Sequence, residues 1–127
     1  MASSAGTCTI TEETFGTIKK IKFDFVAGSG ASVNSIGSTT TTAVFNGNIR
    51  AMTTVGGAGG LAPSASWDIT VKDQSSVDCL IGAGANRSAT TEHTKEASMG
   101  AVANDTLTLG IANVGSSNAA TVYLYIR

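Results

Sequence analysis

Apolar and polar residues alternate with a period of two over several short stretches, and turn-forming residues separate the stretches. The clearest is Lys20-Ile21-Lys22-Phe23-Asp24-Phe25-Val26, where Ile21, Phe23 and Phe25 share one side and Lys20, Lys22 and Asp24 the other. That is the signature of a half-buried strand. Trp67-Asp68-Ile69-Thr70-Val71-Lys72 alternates the same way, with Trp67, Ile69 and Val71 inward. Asp73-Gln74-Ser75-Ser76 then supplies turn chemistry, and Val77 to Ile81 is expected to return as the partner strand. Leu107, Leu109 and Ile111 alternate with Thr106, Thr108 and Gly110. After a turn at Asn113–Asn118, Val122, Leu124 and Ile126 alternate with Thr121, Tyr123 and Tyr125.

Between these stretches the signals are local. Thr40 to Val55 reads as a hairpin, because Asn46-Gly47 is a strong type I′ turn dipeptide. Such a turn sets Val44 opposite Ile49 on one face and Phe45 and Met52 on the other, leaving the core side open. Gly56-Gly57-Ala58-Gly59-Gly60 and the only proline, Pro63, predict a long flexible loop. Residues 82–100 carry the weakest pattern, with a short strand or helical turn near Ser88 to Glu96. The first dozen residues are small and polar and read as a flexible arm. Seven or eight short strands without a long helix make the chain all-β, an antiparallel β-sandwich, and the strand count favours a jelly roll. The expected division is an N-terminal arm over 1–14 and a single β-sandwich domain over 15–127.

Composition adds a pressure toward partners. Only 13% of the 127 residues are charged and the formal net charge is -1, against about 25% charged in ordinary globular chains. Thr, Ser, Asn and Gly must coat the surface, and near-zero net charge favours association. Large side chains are few, with one Trp, two Tyr and four Phe, so apolar burial at ~25 cal/mol per Å² is modest. Oligomerisation or docking on a larger assembly would add to it. No apolar run approaches the ~18 residues of a membrane span, and Met1-Ala2-Ser3-Ser4-Ala5-Gly6 lacks the basic and apolar regions of a secretory signal. Synthesis in a reducing cytoplasm is therefore expected, with Cys8 and Cys79 as inert thiols, since they match no metal spacing.

Candidate chemistry is sparse. His93 is the lone histidine, and the two histidines of a zinc hydrolase motif are absent. There is no G-x-S-x-G elbow. Gly82-Ala83-Gly84-Ala85-Asn86-Arg87-Ser88 lacks the lysine of a phosphate loop and reads as a plain loop. The expectation is a non-enzyme with no cofactor and no metal. Lys19, Lys20 and Lys22 form the only basic cluster, read as one face of a strand, with Glu12, Glu13 and Asp24 nearby. The slightly acidic balance excludes a nucleic-acid binder of the usual basic kind. Tyr123 and Tyr125 share one face of the last strand as an aromatic strip suited to a protein or a sugar.

Three segments carry a resemblance. Ile10-Thr11-Glu12-Glu13-Thr14-Phe15-Gly16 leading into Lys19-Lys20-Ile21-Lys22-Phe23-Asp24-Phe25 is similar to small virion proteins of tailed bacteriophages. So are Trp67-Asp68-Ile69-Thr70-Val71-Lys72-Asp73 and the closing pair Leu107–Asn113 and Thr121–Arg127. In size and β-rich character the chain resembles capsid cement or decoration proteins. The resemblance implies a virion protein made in the host cytoplasm that binds the outside of the capsid and joins adjacent major capsid subunits. Its implied partners are the major capsid protein and a second copy of itself, a dimer rather than a trimer, with no nucleic acid and no membrane. Capsid or oligomer contacts are expected at Thr9, Thr11, Glu12, Lys20, Lys22, Gly59, Leu61, Tyr123 and Tyr125. The alternative is a tail- or fibre-associated β-sandwich that stacks a host-surface carbohydrate on Trp67, Tyr123 and Tyr125. That alternative needs Trp67 at the surface, against its alternation with Ile69 and Val71.

Overall fold

The alternating stretches pair into two antiparallel sheets that bury their apolar sides against each other. The computed structural model describes residues 6–29, 36, 39–57, 62–64, 66–95 and 99–127. Its strands are β1 (Thr7–Phe15), β2 (Ile18–Val26), β3 (Phe45–Gly56), β4 (Asp68–Lys72), β5 (Glu92–Lys95), β6 (Ala101–Asp105), β7 (Thr108–Ala112) and β8 (Ala119–Ile126). The described residues contain no helix. The long sheet runs β1-β2-β8-β3-β5, with β6 also pairing β3, and the short sheet is β4-β7. Single bridges at Thr40–Thr108 and Lys72–Asp78 widen the short sheet on both sides. The protein is thus an all-β antiparallel sandwich.

Register explains the core. β2 and β8 pair Ile21 with Leu124, Phe23 with Val122 and Phe25 with Ala120, and all six are buried. The short sheet answers with Trp67, Ile69, Val71, Leu107 and Leu109. Phe25 and Trp67 meet across the layers, ring centroids 5.9 Å apart and tilted by 59°. The Trp67 Nε1–H donates to the Ser88 carbonyl at 2.8 Å, so the indole is buried with its polar atom satisfied. Each such large side chain contributes roughly 1.5–3 kcal/mol of burial.

Three expectations from the sequence are corrected. Residues 7–14 are not an arm, because Thr7–Phe15 pairs along its whole length with β2. What ties it down is Cys8 and Ile10 packing on the core, plus the Glu12 carboxylate. That carboxylate accepts from Thr42 Oγ1 at 2.7 Å, Thr42 N at 3.1 Å and Ala43 N at 2.9 Å. Second, Asn46-Gly47 is not a turn, and β3 runs straight through it. Gly47 sits at φ +130, where an added Cβ would meet the Arg127 carbonyl oxygen at 2.5 Å, so the glycine serves a close approach by the end of β8. Irregularities at Phe45/Asn46 and Ile49/Ala51 reset the alternation. They bring Phe45, Ile49 and Met52 to one buried side, which strict period-two reading could not do. Third, Val77–Ile81 is not the partner of β4, which pairs β7 instead. After the expected turn, where Asp73 Oδ1 accepts from Ser75 and Val77, only Asp78 bridges back, and the chain coils through turns to Asn86. The weak strand foreseen near Ser88–Glu96 is present as β5.

Arg87 fastens that coiled segment to the long sheet. It is 1% exposed, and its Nε donates to Thr54 Oγ1 at 3.1 Å and its Nη2 to the Glu92 carbonyl at 3.0 Å. Nη1 lies 3.6 Å from Glu92 Oε2. The Arg87 backbone N–H donates to the Trp67 carbonyl at 2.6 Å. Desolvation pushes the guanidinium pKa down and Glu92 opposes it; arginine still keeps its charge at any ordinary pH.

Two outcomes follow from these contacts. Burial would raise the Glu12 carboxyl, but the hydrogen bonds from Thr42 and Ala43 outweigh it and hold the group below its ordinary 4.5. A depressed folded pKa stabilises fully above the unfolded value and is lost as pH falls through the folded one. Glu12→Gln should therefore cost about 1 kcal/mol near neutral pH, allowing for solvent screening. Urea titrations should show the gap to wild type closing as pH falls below about 4; a constant gap would remove the carboxylate from this account. Arg87→Met should cost about 3 kcal/mol in the same assay, since it leaves buried acceptors without a donor. A variant as stable as wild type would mean that apolar packing alone positions the segment.

Candidate functional site

The side of the long sheet that faces away from the core carries the candidate site, and β2 and β8 are its centre. With Ile21, Phe23 and Phe25 inward, strand alternation puts Lys20, Lys22 and Asp24 outward. The β8 partners do the same for Tyr123 and Tyr125, and the register pairs Lys20 with Tyr125 and Lys22 with Tyr123. Lys20 Nζ reaches diagonally over the Tyr123 ring, 5.1 Å from its centroid, a cation–π contact worth about 0.5–1 kcal/mol at an exposed site.

The flanking strands extend these rows. On β1, Thr11 is level with Lys22, Thr9 with Asp24 and Glu13 with Lys20. On β3, Thr53 is level with Tyr123 and Ala51 with Tyr125. The backbone of His93 on β5 continues the Tyr123 row beside Thr53. Thr121 Oγ1 donates weakly to Asp24 Oδ1 at 3.4 Å. The two lysines and two tyrosines are half-buried, each lying along its neighbours, while Thr9 and Thr11 are exposed.

Six of the nine residues expected as contacts therefore share one surface: Thr9, Thr11, Lys20, Lys22, Tyr123 and Tyr125. Glu12 points the other way and is engaged by the 42–43 backbone. Gly59 and Leu61 lie outside the described residues. Lys19 leaves the basic cluster, because neighbours in a strand face opposite sides, and its Nζ donates to the Asn46 carbonyl at 3.2 Å. Thr53, which β3 brings beside Tyr123 only after its register shift, is buried and adds no exposed group to the face. Sequence reading missed the apolar tip of the β1–β2 hairpin, where Phe15 and Ile18 are exposed.

The face offers ammonium, phenol and hydroxyl groups on a rigid ladder, with Glu13 and Asp24 at its borders. Such groups donate and accept hydrogen bonds and cover apolar area; they do not assemble a nucleophile with a base. Trp67 is fully buried, so it is not part of any surface platform. A depression over β4–β7, lined by Asp68, Thr70 and Gly110 among others, holds about 120 Å³, below the ~300 Å³ at which small-ligand pockets begin. No group of three or more His, Cys, Asp or Glu among the described residues is arranged to hold a metal. Both cysteines are free thiols. Burial, then Asp24, pushes Cys8 up to about 11, and burial, then Asp73, Asp78 and Asp105, does the same for Cys79. Neither is a ready nucleophile.

Comparison with known proteins adds no identity: no family model matches the chain, and neither a curated protein nor a solved structure matches it.

Proposed function

We propose that the chain is a non-enzymatic virion structural protein that cements adjacent major capsid subunits from outside the shell, using the Lys20–Lys22–Tyr123–Tyr125 face. The observation that carries the reading is this face: a rigid, half-exposed Lys/Tyr/Thr surface with the aromatic and cationic groups on neighbouring strands. Tyrosine is enriched where interfaces bury area, and lysine stems lie along apolar surface while their heads find acidic partners. Cementing is thermodynamic work, since a protein that binds only the assembled shell stabilises it by mass action.

Topology supports a jelly roll beneath that role. Counting from β2, such a fold orders one sheet as first, eighth, third and sixth strand, and the other as second, seventh, fourth and fifth. Here β2-β8-β3 with β5 and β6 follows the first order. The Thr40 segment, β7, β4 and the Asp78 bridge follow the second. β1 then lies outside the roll as an added edge strand. The carbohydrate alternative loses Trp67 as a stacking surface, and no observation favours it over docking on protein.

Cosedimentation with empty capsid shells, with shell melting followed in parallel, tests the proposal. Saturable binding and a raised shell melting temperature are expected. The double variant Lys20→Glu/Lys22→Glu should bind at least about tenfold more weakly, a change of ~1.4 kcal/mol, with its own melting unchanged. Absence of binding by the wild-type protein would overturn the cement role. Unchanged binding by the variant would move the contact to another surface.

A further inference from the structure

Among the described residues, β1 ends the long sheet and its outer edge is open. It ladders only with β2, and among the described residues no backbone hydrogen bond joins residues 7–15 to any other segment. Natural edge strands are usually blunted by brevity, proline, lysine or a bulge. β1 has none of these: it is nine residues long, Thr7-Cys8-Thr9-Ile10-Thr11-Glu12-Glu13-Thr14-Phe15, in unbroken register with β2. Its two charges do not guard the edge either. Glu12 is held by Thr42 and Ala43, and Glu13 is level with Lys20.

We infer that this edge pairs with β1 of a second copy, antiparallel about a twofold axis through Thr11, joining the two long sheets into one. Facing residues in an antiparallel ladder share a face, so the axis must fall on a residue. Thr11 is the midpoint of Thr7–Phe15, and only an axis there pairs all nine residues. It sets Thr11 beside the partner's Thr11, Thr9 beside the partner's Glu13 and Ile10 beside the partner's Glu12. No carboxylate then faces a carboxylate, whereas an axis one residue on, at Glu12, opposes two of them.

Exposed apolar side chains select the same register. Phe15 is 57%, Ile18 39% and Val26 43% exposed. Ile18 is level with Phe15 and Val26 with Thr7 at opposite ends of the hairpin, all on the outward face. With Thr11 on the axis, Phe15 lands beside the partner's Thr7, whose own neighbour is the partner's Val26. Ile18, Phe15 and the partner's Val26 then lie in one row over a threonine, and symmetry repeats the row at the other end. Three exposed apolar residues per copy are gathered into two shared clusters.

The dimer places both Lys–Tyr faces on the same side of one continuous sheet. If the cement reading holds, that makes docking bivalent, and two linked sites bind far more tightly than one. The pairing itself does not rest on that reading and is tested without shells.

Sedimentation of the purified chain from about 10 to 200 µM should show a dimer, and Thr11→Lys should dissociate it at least about tenfold more readily with circular dichroism unchanged. In a Cys8→Ser background, Thr11→Cys should oxidise to a covalent dimer. Facing Cα atoms in a ladder lie about 4.5–5.5 Å apart, within disulfide reach. Glu13→Cys in the same background should not, because its two copies sit four residues out of step, roughly 13 Å apart. A wild-type monomer throughout that range, or Thr11→Cys crosslinking no faster than Glu13→Cys, overturns the inference. A dimer that fails to bind shells would leave the pairing standing and refute the cement role alone.

Discussion

A buried arginine holds the two layers in one arrangement. The segment between β4 and β5 is mostly Gly, Ala, Ser, Asn and Thr; Cys79 and Leu80 bury in the core, but from Gly82 to Thr91 there is little apolar area to fix where it lies. Arg87 supplies the missing constraint, since a desolvated guanidinium is tolerable only where fixed acceptors replace water. Thr54 on β3, the Ala83 carbonyl and both the backbone and the carboxylate of Glu92 are those acceptors. One side chain thereby sets the coil, the start of β5 and the end of β3. The Trp67 indole closes the same knot by donating to Ser88, the next residue along. Trp67 is therefore a core residue for two reasons, alternation and hydrogen bonding.

The proposed docking face is the reverse side of that core. Because strand residues alternate, the register that pairs Phe23 with Val122 inward necessarily pairs Lys22 with Tyr123 outward. A one-residue slip would exchange the two sets and expose the core, so core packing fixes the face with the full energy of the sandwich. The lysines and tyrosines need no further anchoring to be presented in a defined order.

Where the period of two was regular, the sequence was legible. The strands around Lys20–Val26, Trp67–Lys72, Leu107–Ile111 and Thr121–Ile126 and most of their inward residues could be read from it, as could the outward placement of Lys20, Lys22, Tyr123 and Tyr125. Misreadings arose where a non-local contact overrode a local preference. Thr7–Phe15 looks like an arm because its alternation is written in Thr, Cys and Ile rather than large apolar residues, and its clamp lies thirty residues away at Thr42. Asn46-Gly47 has turn chemistry, yet the carbonyl of Arg127 needs the space beside Gly47. Arg87 read as one polar residue in a loop, and nothing in its neighbourhood announced burial. Strand partners were not legible at all, since β2 lies beside β8 and β4 beside β7 through pairings far apart in sequence.

The scarcity of charge has a structural logic that bears on the partner. Among the described residues six carboxylates accept backbone N–H groups: Glu12 in the 42–43 loop, Asp68 at Asn86, Asp73 at Ser75, Asp78 at Val71, Glu92 at Ser88 and Asp105 at Gln74. A chain with fifteen glycines and short turns leaves many N–H groups without a ladder partner, and charged acceptors satisfy them more strongly than neutral ones. The acids are thus placed by the needs of the loops, and most lie away from the outward face of the long sheet. Lys20 and Lys22 have no such duty; one rests on Tyr123 and both stand on the sheet where nothing in the fold requires a cation. A net charge of -1 therefore conceals a segregation in which most acids serve the loops while Lys20 and Lys22 stand on the outward face of the long sheet. On the cement reading proposed above, an acidic protein surface would be the counterpart of Lys20 and Lys22.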